Sequence, residues 1–185
     1  AHFLAYPVAI IYKLCPHPLT LLFLQTLALG LGAVPLYLVA RMFLGGERWA
    51  CVISAAYLLY PGLGFTNFYE FHFTPFATLT LLWMCYFFFA EKYRGFLWMA
   101  VVTLFCQENM SLVIAAFGVY AAILRRSLKW WLPLWGLGVV FFILDVKILT
   151  PMLNPDSIRF ISIYSHWGES FGEILGNIMT HPFDV

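Results

Sequence analysis

Residues 19–43 read LTLLFLQTLALGLGAVPLYLVARMF, and the one charge among them is Arg41, near the far end. As a helix this run is about 37 Å long, more than the ~30 Å hydrocarbon core of a bilayer. It is the clearest transmembrane helix in the chain, and it sets the solvent against which every other segment has to be read. Gly30, Gly32 and Ala33 give it a face of small side chains on which another helix can pack closely. Pro35 predicts a kink.

Upstream, Phe3 to Leu14 is apolar but only about 18 Å long as a helix. It also carries Pro7 and Lys13, so it predicts an interfacial or re-entrant helix, broken by Cys15-Pro16-His17-Pro18. Downstream, the loop Leu44-Gly45-Gly46-Glu47-Arg48 leads into further apolar runs. These are Trp49 to Leu63, Phe76 to Ala90, Gly95 to Cys106, Met110 to Leu124 and Trp131 to Thr150. Trp130, Trp131 and Trp135 form an aromatic belt at the start of the last run. The expected fold is all-α, a polytopic transmembrane bundle of about six spans plus an interfacial helix. Residues 1–153 form the transmembrane module. Residues 154–185 read as an outer-side loop with one short amphipathic helix, roughly Ser170 to Met179.

Composition agrees. The 185 residues are 63% hydrophobic and 10% charged, with a mean hydropathy of +0.86, whereas soluble domains carry roughly 25% charged residues. A net charge of +1 leaves no basic surface for nucleic acid. Cys15, Cys51, Cys85 and Cys106 stand singly, without the paired spacing of a zinc or redox site. The chain opens on Ala without a signal peptide and stops soon after His181-Pro182, as expected of a segment of a longer protein.

Lys and Arg set the orientation. If the spans alternate, Arg41, Arg48, Lys92, Arg94, Arg125, Arg126 and Lys129 share one side, and Lys13, Lys147 and Arg159 fall toward the other. The first side is then cytoplasmic. His2, His17, His72, His166 and His181 lie toward the outside, together with Glu70 and Glu108.

That outer side holds the candidate chemistry. Phe68-Tyr69-Glu70-Phe71-His72-Phe73-Thr74-Pro75 places an acid and a histidine two residues apart, and such a pair can share a proton or a metal ion. It is not the His-Glu-x-x-His zinc signature. Glu108 lies in Gln107-Glu108-Asn109, between spans of only about 18 and 22 Å. A carboxylate at that depth has to face a watery cavity or a partner. One outward cavity holding Glu70, His72 and Glu108 is the expectation. The plainer alternatives stand beside it. Glu70 and His72 can be interfacial loop residues, and Glu108 with Asn109 can cap the following helix. Asp145 and Lys147 can form an ion pair or snorkel, although Lys147 can also meet a phosphate. His166, Glu169 and Glu173 fit a solvated face.

Several motifs resemble a large family of bacterial and archaeal membrane proteins, a domain of unknown function. They are His2-Phe3, Leu24-Gln25-Thr26-Leu27-Ala28, Gly32-Ala33-Val34-Pro35-Leu36-Tyr37 and Tyr69-Glu70-Phe71-His72. Gln107-Glu108-Asn109, Val146-Lys147-Ile148 with Pro151, and His181-Pro182 extend the resemblance over nearly the whole chain. In that family Asp is common where this chain has Glu70, and Lys-Glu-Asp where it has Gln107-Glu108-Asn109. The family looks related to the GT-C glycosyltransferases, which take sugars from polyprenyl-phosphate donors. The resemblance therefore implies a multi-pass protein of a prokaryotic plasma membrane with its site facing outside. Glu70 and His72 would be catalytic or would ligate a divalent metal. Glu108, Lys147 and His2 would bind substrate. The partners would be membrane lipid and the polyprenyl-phosphate sugar donor, and the first-loop catalytic acid would lie upstream of Ala1. A transporter or lipid-handling protein, or a non-catalytic subunit of a membrane complex, is the alternative, because Gly/Pro-interrupted helices with polar tips fit those too.

Overall fold

The computed structural model describes Phe3–Gln107, Asn109–Leu149 and Thr180, leaving aside the side chains of Val146 and Leu149. The chain divides into two units, Ala1–Phe142 and Ile143–Val185. Of the second, the described part is the end of the last long helix, a π-helical turn at Asp145–Leu149, and Thr180. The expected amphipathic helix near Ser170 to Met179 lies outside the described residues.

Among the described residues the regular structure is all helical. α1 is Ala5–Leu14, α2 Pro18–Leu31, α3 Ala33–Leu44, α4 Glu47–Leu58 and α5 Pro61–Phe68. α6 is Thr74–Phe89, α7 Tyr93–Cys106, α8 Met110–Ile123 and α9 Leu128–Leu144. α2 and α3 run on as one element, Pro18–Leu44, of 27 residues, and α4 and α5 as another, Glu47–Phe68, of 22. These two are long and apolar enough to cross a membrane. The remaining apolar helices are shorter, at 10–17 residues.

Local sequence explains the starts and breaks. α2 opens on Pro18, whose missing N–H costs nothing at a first helical position, and the His17 ring accepts from the Leu19 N–H at 3.2 Å. The expected kink at Pro35 is felt one turn earlier, at Gly32, where α2 gives way to α3. Pro35 has no N–H to continue the ladder, and the next bond, from Leu36 N–H to the Gly32 carbonyl, is stretched to 3.5 Å. Gly32 also makes room for a side chain of α4. A Cβ there would collide with the Tyr57 hydroxyl, which instead reaches the Leu29 carbonyl at 3.0 Å. Pro61 and Gly62 do not end the second long element near Leu63, as the sequence suggested. Tyr60 is extended, Pro61 takes the first position of a new helix, and α5 carries the element on to Phe68.

α6 lies at the centre of the first unit, packed against α7 and against α2 and α3. Its Met84 and Phe88 enter a core with Phe96, Leu104, Ile114 and Leu134. Two polar contacts inside this apolar mass tie helices together: Thr103 on α7 meets the Thr80 hydroxyl of α6 at 2.8 Å, and Ser54 on α4 reaches the Ala33 carbonyl at 3.3 Å. α8 and α9 approach through glycine. A Cβ at Gly118 would stand 2.9 Å from the Trp135 nitrogen, and one at Gly138 would stand 2.6 Å from the Ser111 carbonyl oxygen.

The loops after α3, α6 and α8 share one end of the bundle. Phe43 meets Phe89 edge to face at 4.9 Å between ring centres, and Arg126 binds Glu91 at 2.6 Å. Arg41, Arg48, Lys92, Arg94, Arg125, Arg126 and Lys129 all lie in or beside these loops. The polar stretch Tyr69–Phe73 belongs to the opposite end.

Candidate functional site

The opposite end is organised by a glutamine. Gln25 stands seven residues inside α2 and is fully buried, at 0% exposure. Its Nε2 donates to the Thr66 carbonyl of α5 at 3.0 Å, and its Oε1 accepts from the His72 backbone N–H at 2.9 Å. Both ends of the amide are thereby satisfied, as a polar group inside an apolar bundle requires. Its neighbour Thr26 touches the side-chain amide of Asn67 at 2.9 Å while bonding the Leu22 carbonyl at 2.8 Å. Two consecutive residues of α2 thus hold two consecutive residues of α5. Seven residues of helix are about 10 Å, so the Glu70/His72 loop is fastened that far along α2 from its first turn.

The loop surrounds an open cavity of about 360 Å³, lined by Phe65, Thr66, Tyr69, His72 and Thr74. His72 is half-buried and stacks on Tyr69, with ring centres 5.3 Å apart. Its Nδ1 is hydrogen-bonded to the Glu70 backbone carbonyl. A carbonyl can only accept, so Nδ1 carries the proton and Nε2 is the nitrogen left for a ligand or a proton. On the other side of α5 a second groove of about 170 Å³ runs between α2 and the α4–α5 element, beside Gly30 and Gly64, with Thr26 and Asn67 as its polar end.

The sequence-derived site residues separate as follows. His72 lines the cavity. Glu70 is exposed, is not among the lining residues, and meets His72 through its carbonyl rather than its carboxylate. Among the described residues that carboxylate has no hydrogen bond or ion pair. Glu108 and His2 lie outside the described residues, but their chain neighbours are placed. The Thr74 hydroxyl donates to Gln107 Oε1 at 3.3 Å, and the Leu4 N–H donates to the Phe105 carbonyl at 3.1 Å. The start of α1, the end of α7 and the start of α6 therefore meet at the cavity end. Asn109 begins α8 without a side-chain cap, so the capping alternative does not hold for that residue. Lys147 is exposed in the π-helical turn of the second unit. Among the described residues no three His, Cys, Asp or Glu side chains gather where a metal ion would bind, so a metal at Glu70 and His72 would need further ligands from elsewhere.

Gln25, Thr66, Tyr69 and Thr74 are the residues that site reasoning from the sequence missed. Gln25-Thr26 offered the one usable signal: adjacent polar side chains inside an otherwise apolar membrane-length run, where an amide needs partners.

Membrane-length apolar helices around a small polar site buttressed by a buried amide are the make-up of a helical membrane protein. The chain belongs to the family described as Predicted membrane protein (DUF2079), whose model matches residues 1–185. No curated protein matches it, and neither does any solved structure.

Proposed function

We propose that this is a membrane-embedded, GT-C-like glycosyltransferase that takes a sugar from a polyprenyl-phosphate donor at an outward-facing cavity. The observation that carries the proposal is the cavity at Tyr69–Thr74, opposite the Lys/Arg-rich end. Aromatic rings, two threonines and a histidine with a free Nε2 form a lining that suits a sugar, whose ring face stacks and whose hydroxyls hydrogen-bond. In this reading the chain crosses the membrane about six times. The basic loops are cytoplasmic and the shorter helices lie in a locally thinned or water-filled region.

The reaction breaks the bond between the anomeric carbon and the phosphate oxygen and forms one to an acceptor hydroxyl oxygen. The acceptor's proton goes to a base, and polyprenyl phosphate leaves. In this reading His72 Nε2 takes that proton. Glu70 would supply negative charge at the acceptor or toward a divalent metal, and Glu108 and His2 would orient substrate; Lys147, in the second unit, is proposed separately as a point charge for the donor phosphate. The test is transfer of labelled sugar from a polyprenyl-phosphate donor in membranes carrying the full-length protein. Glu70→Gln should abolish it while expression and monodispersity stay normal. Full activity in that variant would end Glu70's catalytic role. Single-cysteine labelling tests the topology, because a Cys at Gly46 should label only from the inside.

A second reading has its own support. The second membrane-length element is interrupted at Tyr60–Pro61, where Tyr60 is extended, and transporters build substrate sites from broken helices. Uptake or lipid flipping in vesicles that depends on Glu70 and Glu108, without sugar transfer, would favour it.

A further inference from the structure

We infer that Gln25 is the positioning residue of this site: its single buried side chain sets where His72 stands relative to α5. The inference rests on the assignment of His72 given above for its functional consequence, but not for its structural content.

His72 lies in Tyr69–Phe73, a stretch between α5 and α6 with no helical ladder of its own. Its backbone has to be fixed from outside. Among the described residues the His72 N–H donates to Gln25 Oε1, 47 positions earlier in the chain, while the same amide holds the last turn of α5 by donating to the Thr66 carbonyl. Thr66 and His72 are both lining residues, one in the last turn of α5 and the other within the loop. One planar amide, with no internal freedom between its oxygen and its nitrogen, therefore spans the cavity wall. The His72 ring is then oriented by the Glu70 carbonyl and the Tyr69 face, and among the described residues Nε2 has no hydrogen-bond partner. An amide serves here better than a charged group. It donates and accepts at once, and it carries no net charge into an apolar surround.

The experiment is hydrogen–deuterium exchange of the purified full-length protein, resolved to the peptide over Tyr69–Thr74, run beside sugar transfer. Gln25→Met keeps the length and removes both bonds. The His72 amide should then exchange about tenfold faster, as expected for loss of one buried hydrogen bond, and transfer should fall by a similar factor or more. Gln25→Glu keeps an acceptor for the His72 N–H in either protonation state, so protection there should stay near that of the native protein. A folded Gln25→Met protein with an unchanged His72 amide overturns the inference whatever its activity. So does loss of that protection in Gln25→Glu, the arm that decides if the Met variant does not fold. Faster exchange with unchanged transfer leaves Gln25 as the anchor and removes His72 from the chemistry.

Discussion

The two ends of the first unit are closed by different physics. At the Lys/Arg-rich end the loops are tight, and residues close in space are held by charge. The turns after α6 and α8 stop their helices the same way, with Glu91 and Arg125 at positive φ (57° and 55°) and the next N–H reaching back to the carbonyls of Phe87 and Ala121. The side chains of Glu91 and Arg126 then join across the two turns, with the Arg126 guanidinium 5.1 Å from the Phe88 ring centre and 5.7 Å from that of Trp130. At the cavity end neutral hydrogen bonds span 41 and 47 residues, the principal donor is fully buried, and the loop between α5 and α6 stands open. Ion pairs at the surface, one of them with its Arg126 half-buried against two rings, suit a boundary that only has to be stable. An uncharged, two-sided anchor instead fixes the backbone of His72 beside an open cavity.

The largest expected effect is on function, and only at one end. His72→Ala should lower sugar transfer by about 100-fold or more, with Glu108→Gln milder, while Arg126→Ala leaves transfer unchanged in the protein that remains folded. An Arg126→Ala protein as inactive as His72→Ala would erase the distinction between the ends. Next comes the packing that both ends hang on. Gly118→Ala drives a methyl into the backbone of α9 at Trp131 and Trp135 and should cost about 1–3 kcal/mol in thermal unfolding in detergent.

Within the basic end the partners should be unequal. Arg126→Ala loses an ion pair and two ring contacts and should cost about 1–2 kcal/mol, whereas Glu91→Ala should cost less than about 1 kcal/mol and lose its effect in high salt. Equal, salt-independent losses would mean the charge itself matters little. The smallest effect is a gain. Arg125→Gly relieves a left-handed residue and should stabilise by about 0.5–1 kcal/mol, while Glu91→Gly gains the same relief but loses its salt bridge, and so should come out near zero.

The helices could be read from the sequence because each is an apolar run punctuated by Gly, Pro or charge. Met110 to Leu124 as expected is Met110–Ile123 as found, and the clustering of Lys and Arg at one end follows from the same runs. The anchor of the site could not be read, because a lone Gln in an apolar helix does not say which partner 47 residues away will fill its valences. Glu70 and His72 show a subtler limit. A spacing of two puts side chains on one face of an extended strand. Here the histidine ring turns back onto the carbonyl two residues earlier, so the pair the sequence offers as two side chains is a side chain and a backbone. Pro61 was ambiguous in principle, since the same residue that ends one helix is the preferred first residue of the next.

The Leu4 N–H and the Phe3 ring dock on Phe105, at the end of α7. Counted in time rather than in ångströms, that contact has a delay built into it. Phe105 leaves the ribosome about 100 residues after Leu4, which at synthesis rates of roughly 5–20 residues per second is about 5–20 s. Throughout that interval this amide and ring lack the partner they have in the folded chain. α1 is thus made well before it can be seated, and the cavity end of the first unit is completed only when a segment made about 100 residues later comes back to it.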